Sequence, residues 1–192
     1  MDGLLIDWGG VLTHSVLRSF EAFNEREGLP TGAVLQAVGD HLLEDLESGA
    51  LALEDFERRL GERLDVDPAG LAGRLMKDAG PDHQMRAAVR HFHDAGIRTV
   101  LVSNSWRRSD YDMADAFDAM VLSQQLGFRK PDPRIYRYAL ESVQLAANRC
   151  VFVDDLGGNL KPAKALGMTT IKHERAEKTI SELKELLLPR PS

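Results

Sequence analysis

Two adjacent carboxylates, Asp154 and Asp155, close the apolar run Val151-Phe152-Val153 and lead into Leu156-Gly157-Gly158-Asn159. Neighbouring carboxylates at the end of a buried strand are unfavourable unless a cation or strong donors compensate them. Magnesium prefers oxygen ligands and takes one or two carboxylates plus waters, so this pair reads as a metal site ahead of a cap or turn. Three further polar clusters follow apolar runs. In Leu5-Ile6-Asp7-Trp8-Gly9-Gly10 a strand pattern ends at a carboxylate and turns on two glycines. A lone Asp there equally suits a turn or a helix cap. In Val100-Leu101-Val102-Ser103-Asn104-Ser105, the Ser103 hydroxyl and the Asn104 amide and backbone N–H could hold a phosphoryl or carboxyl oxygen, or satisfy their own turn. In Phe128-Arg129-Lys130-Pro131-Asp132-Pro133, Lys130 stands in a loop stiffened by two prolines. That suits a fixed counter-charge, or an ordinary solvated lysine.

These clusters need a frame that gathers them. Short apolar runs alternate with helical patterns, as in a parallel α/β sheet. The runs predict strands at Gly3–Asp7, Thr99–Ser103, Ala119–Leu122, Cys150–Asp154 and Thr169–Ile171. Helices are expected over His83–Ala95, stopped by Gly96, and from Asp132-Pro133 as N-cap and first residue to about Val143. Two more are expected, from Pro162 to Gly167 and over Thr179–Leu188, the last ended by Pro189 and Pro191. In open α/β sheets ligands bind outside the carboxyl ends of the strands, where all four clusters would converge. From about Ser15 to Asp82 the alternation stops. Leu35, Val38, Leu42 and Leu46 form one helical stripe and Phe56, Leu60 and Leu64 another, with Pro30, Gly49 and Pro68 as breaks. This reads as a helical cap inserted over a cleft, or else as the all-α half of a two-layer domain. The expected division is a core of 1–14 and 83–192 with a helical cap of 15–82.

With 24 basic and 30 acidic residues among 192, the net charge is −6. That balance, without a lysine-rich tail, argues against a nucleic-acid partner. No apolar run approaches the ~20 residues a membrane span needs, and no signal peptide is expected. Cys150 is the only cysteine, so no internal disulfide can form and a cytoplasmic setting is expected. The charge is uneven. Residues 15–82 hold 7 basic and 15 acidic residues, a charge of −8, and the remainder is +2. Arg107, Arg108, Arg129, Lys130, Lys161 and Lys164 lie near the clusters, which suits an anionic substrate.

Taken in order, Asp7, Ser103-Asn104, Lys130-Pro131 and Asp154-Asp155-x-x-x-Asn159 resemble the four-motif pattern of the haloacid dehalogenase (HAD) superfamily. Ser103-Asn104-Ser105-Trp106, Lys130-Pro131-Asp132-Pro133-Arg134-Ile135-Tyr136 and the run from Asp154 to Ala163 are most similar to one branch. It includes the amino-terminal phosphatase domain of soluble epoxide hydrolases. The resemblance covers almost the whole chain and implies an α/β, Rossmann-like core with a parallel sheet and an inserted small helical cap. It further implies a magnesium-dependent phosphatase of small phosphomonoesters. In that family pattern Asp7 is the nucleophile and forms an aspartyl-phosphate. Mg2+ would sit on Asp7, the Gly9 backbone carbonyl and Asp155, its waters held by Asp154 and Asn159. Lys130 would neutralise charge, and Ser103 with the Asn104 N–H would bind a phosphoryl oxygen.

The sequence departs from the pattern at Gly9, where most phosphatases of the superfamily carry an Asp serving as general acid and base. The carbonyl ligand survives and the proton donor does not; such help is worth roughly 10²–10⁴-fold. Three outcomes are open: a substrate with a good leaving group, a substitute acid, or an impaired phosphatase. His14 could be that acid, or a surface histidine. A metal-independent 2-haloacid dehalogenase-like hydrolase is the alternative enzyme, since those also lack the second Asp, though they need no paired carboxylates. A HAD-fold binding protein is the non-enzymatic alternative. Trp8, Trp106 and Arg107 would suit a sugar or small anionic phosphate at the rim, while either tryptophan fits a core equally well. The expected partner is a small phosphorylated metabolite, with no nucleic acid or membrane, for a monomer or homodimer. No epoxide hydrolase domain is expected.

Overall fold

The computed structural model describes residues 1–39, 41–105 and 111–188. Trp106, Arg107 and Arg108 lie outside the described residues, as do Pro189 and Pro191. All five expected strands form, as β1 (Gly3–Ile6), β2 (Arg98–Ser103), β3 (Ala119–Leu122), β4 (Cys150–Asp154) and β5 (Thr169–Lys172). They make one parallel sheet in the order β3-β2-β1-β4-β5. With β1 central, Ile6 pairs with Leu101 on one side and Val153 on the other. That register sets Asp7, Ser103 and Asp154 at one edge of the sheet.

Successive side chains alternate between the two faces, and both faces are covered. Leu4, Ile6, Leu101 and Val153 belong to one apolar cluster, and Leu5, Val100, Val102 and Phe152 to the other. Burial on both sides explains why the strands read as continuous apolar runs. After β1 the chain passes through α1 (Val16–Arg26), α2 (Ala33–Val38), α3 (Leu42–Glu47), α4 (Leu53–Leu64) and α5 (Leu71–Leu75). These five helices share a third apolar cluster that includes Phe20, Phe23, Leu46, Phe56, Leu60 and Leu71. The two ends of this segment are tied together, since Thr13 bridges Pro81 and the Asp82 N–H donates to the Leu12 carbonyl at 3.0 Å. Leu35 departs from its expected stripe. Gly39, at φ 53°, ends α2 and breaks the register with α3, leaving Leu35 43% exposed.

The sheet is flanked by α6 (His83–Asp94), α7 (Ser123–Leu126), α8 (Pro133–Ser142), α9 (Gly157–Ala165) and α10 (Ala176–Leu187). The caps behave as their residue types dictate. Asp82 accepts the Gln84 and Met85 N–H groups, and Asp132 accepts that of Arg134 with Pro133 at the first helical position. The short α7 carries no signal in the sequence, and two expectations need correction. α10 begins at Ala176 rather than Thr179. More informatively, α9 begins at Gly157, and Pro162 lies inside it rather than opening it. The Asp154 carboxylate accepts the Leu156 N–H at 2.8 Å and the Asn159 side-chain amide, which starts the helix early. The Pro162 ring then forgoes one ladder hydrogen bond. Among the described residues no helix is long and apolar enough to cross a membrane.

Candidate active site

Asp7 follows β1 directly, its N–H extending the ladder to the Val153 carbonyl at 3.0 Å. Its Oδ1 accepts the Trp8 N–H at 2.7 Å and lies 2.7 Å from Lys130 Nζ. The same ammonium reaches Asp154 Oδ2 at 2.8 Å, so one buried cation bridges the ends of β1 and β4. Asp154 is fully buried and heavily engaged, taking Lys130, the Leu156 N–H and the Asn159 amide. Asn159 is itself anchored through its carbonyl, which accepts the Tyr136 hydroxyl at 2.7 Å and joins α8 to α9.

Lys130 is placed by Asn104. The Asn104 Oδ1 accepts the Lys130 N–H at 2.8 Å, and its Nδ2 donates to the Lys130 carbonyl at 3.0 Å. The Asn104 side chain thus holds the lysine loop to the end of β2, and the residue also lines the cavity described below. The Lys130–Pro131 peptide in that loop is cis. Ser103 stands at the same sheet edge, but its hydroxyl accepts the Tyr111 O–H at 3.2 Å and does not line the cavity described below. Tyr111 carries no motif and was invisible in the sequence. Trp8 packs edge-on to Tyr111 at 4.8 Å and beneath the Arg86 guanidinium at 4.7 Å, away from that cavity.

Asp7, Asp154 and Asp155 each place one carboxylate oxygen within 4.8 Å of the others. Among the described residues, the ammonium of Lys130 is the one buried cation set against these three acids. Burial pushes Asp7 up to about 7, with Lys130 opposing and the other two carboxylates adding. Asp155 is pushed up to about 6 by burial and then by Asp154. Burial works against the charge on Lys130, yet Asp7 and Asp154 hold its ammonium above the ordinary lysine value. An all-oxygen, electron-rich cluster with too little positive charge fits a hard divalent cation. The glycine turn closes tightly over it: Gly10 has φ +76°, and a Cβ there would lie 2.4 Å from Asp155 Oδ2.

A cavity of about 240 Å³ opens above this cluster. Asp7, Gly9, Lys130, Asp155 and Asn159 form its floor, and Val16, Leu17, Phe20, Leu35 and Leu43 of the helical segment form an apolar wall. Glu47, the last residue of α3, also lines it and had no signal in the sequence. Its Oε2 meets Arg129 Nε at 2.8 Å, while Glu44 takes the Arg129 Nη1 at 2.7 Å. His14 is exposed and lines a different, wider groove of about 400 Å³ with Arg18, Lys172 and His173; among the described residues only Asp155 faces both spaces.

The sequence matches the family described as haloacid dehalogenase-like hydrolase over residues 1–167. It is 32% identical over 197 residues to a phosphatase of Mycobacterium tuberculosis, covering 93% of this chain and 90% of that protein. It is 38% identical over 113 residues to the bifunctional epoxide hydrolase 2 of Rattus norvegicus, covering 53% of this chain and 20% of that protein. The chain spans about a fifth of the length of such mouse and rat relatives. In fold it is similar to a HAD-like family hydrolase from Porphyromonas gingivalis, with a TM-score of 0.74, 20% identity and 99% of each chain covered. The four motif clusters, gathered at one edge of a parallel sheet, and this match across most of its length agree: the chain belongs to the haloacid dehalogenase-like hydrolases.

Proposed function

We propose that this hydrolase is a magnesium-dependent phosphatase of small phosphomonoesters, with residues 15–82 serving as a cap. The observation that carries the reading is the Lys130 ammonium, within 2.8 Å of both Asp7 and Asp154, beneath a cavity that Asp155 also faces. The Asp7 carboxylate attacks phosphorus, the ester bond breaks, and water then hydrolyses the aspartyl-phosphate. Lys130, itself buried, keeps a positive charge where the phosphoryl group arrives. Asp7, the Gly9 carbonyl and Asp155 would hold magnesium, which when bound supplies the charge that lets an anionic phosphate approach a carboxylate. Asp154, already committed to Lys130, Leu156 and Asn159, suits the role of orienting waters with Asn159. Asp7 is pushed up to about 7 by burial, so a bound cation also favours the ionised form that attacks.

The cavity wall bears on the substrate. Leu17 and Leu35 remain 48% and 43% exposed there, and Arg129 is already matched by Glu44 and Glu47. Such a wall favours a phosphomonoester of an apolar alcohol over a sugar phosphate with a second charge. A metal-independent dehalogenase would leave the third carboxylate of the cluster without a role. The test is phosphate release from p-nitrophenyl phosphate with and without magnesium, beside Asp7→Asn. Metal-dependent turnover lost in the variant is expected, and activity that survives both changes would overturn the mechanism. Halide release from 2-chloropropionate without metal would favour the dehalogenase. Binding of phosphate esters without turnover would favour a binding protein.

A further inference from the structure

An alkoxide is a poor leaving group, and Gly9 offers no proton to it. We propose that Glu47, carried into the cavity by α3, is the general acid and base of this site, an inference that rests on the phosphatase reading above. In-line displacement sets the leaving oxygen opposite the attacking Asp7, on the side closed by the helical segment. Asp7, Asp155 and Glu47 are the acidic side chains lining the cavity among the described residues, and only Glu47 comes from that side. His14 faces the other groove.

Glu47 is also held as a positioned acid must be. It is 8% exposed, its Oε2 meets Arg129 Nε at 2.8 Å, and its backbone carbonyl accepts the Ser123 hydroxyl. The charged and polar groups facing it are Arg129, Lys130 and the Asn104 amide, with Glu44 sharing Arg129. Burial pushes its carboxyl up from the ordinary glutamate value, with Arg129 opposing. In the first step Asp7 bonds to phosphorus as the ester P–O bond breaks. The bond pair stays on the alcohol oxygen, which takes the Glu47 proton. In the second step the Glu47 carboxylate takes a proton from water as that oxygen bonds to phosphorus, and the Asp7 oxygen leaves with its electron pair. The sum is ester plus water to alcohol plus phosphate, with both residues restored.

The experiment compares p-nitrophenyl phosphate, whose phenolate leaves without a proton, with n-butyl phosphate at saturating magnesium. For Glu47→Gln, kcat/KM, which reports phosphoryl transfer to Asp7, should fall by about 10²-fold or more on butyl phosphate and far less on the aryl ester, while kcat falls on both through the shared hydrolysis of the aspartyl-phosphate. Gly9→Asp in the same background should restore the alkyl activity, and its Cβ meets only Val16 Cγ2, at 3.3 Å. Equal losses of kcat/KM on both esters would mark Glu47 as a latch between α3 and Arg129 and overturn the proposal, as would no loss of kcat/KM on the alkyl ester. The unmodified protein gives a check that needs no variant. Across phosphomonoesters of rising alcohol pKa, kcat/KM should fall shallowly; a steep fall would overturn the inference while leaving the phosphatase reading intact. Absence of turnover on every ester would overturn both.

Discussion

Replacing Asp7 by Asn should abolish turnover and yet stabilise the metal-free protein, increasingly so as the pH rises. Asp7 is raised from 3.8 to about 7, so the folded chain keeps a proton that the unfolded chain has lost between those values. Folded wild-type stability therefore drains away as the pH climbs through this window and is level above it. At about 1.36 kcal/mol per pKa unit, the full cost of ionising Asp7 in the fold is about 4 kcal/mol. Asn is neutral and nearly the same shape as a protonated Asp, and Lys130 still meets Asp154. The variant's advantage should thus be small near pH 4 and reach about 4 kcal/mol by pH 8. Urea unfolding in EDTA, followed by tryptophan fluorescence at pH 4.5, 6 and 8, reads it directly. Magnesium should then raise the wild type more than the variant and narrow the gap. A gap that does not change with pH, or a variant less stable than wild type at pH 8, would refute the reasoning.

Lys130→Met leaves two buried carboxylates without their shared ammonium. It should cost about 3–5 kcal/mol at pH 8 and less at pH 5, where Asp7 can take a proton, measured by the same unfolding series. Gly10→Ala forces a side chain at φ +76° to within 2.4 Å of Asp155 Oδ2. It should lower stability by at least ~1–2 kcal/mol and weaken magnesium binding, checked by urea unfolding and metal titration. Tyr111→Phe removes the donor to Ser103 Oγ at 3.2 Å and should cost about 1 kcal/mol in urea.

The strands were legible because burial on both faces leaves an uninterrupted apolar run, and a polar residue marks each site-bearing end. Asp7, Asp154 and Ser103 share one sheet edge for that reason. What escaped reading came through tertiary contact. Glu47 sits one residue after Leu46 in a helical stripe, where its spacing suggests an ordinary solvated face. Its chemistry arises only because α3 lies against the lysine loop. Tyr111 reaches Ser103 from a stretch with no periodicity. Pro162 misled because prolines favour helix starts, whereas here the Asp154 carboxylate sets the start. Asn104 was legible as a polar ligand, but its double hydrogen bond to the Lys130 backbone depends on a loop 26 residues away.

The strand order has a consequence for biosynthesis. β1 is made first, yet its partner on one side is β4, with Gly3 opposite Cys150. Until the ribosome has delivered that stretch, the Leu4–Ile6 edge has no mate on that side and Asp7 has neither Asp154 nor Asp155 beside it. Closing so long a loop is slow compared with forming the helices between. Asp7 thus gains its acidic neighbours only when β4 pairs with β1, the same event that covers the open side of β1. A polypeptide stalled before β4 would carry an unpaired apolar strand edge, the kind of surface that favours association with other chains.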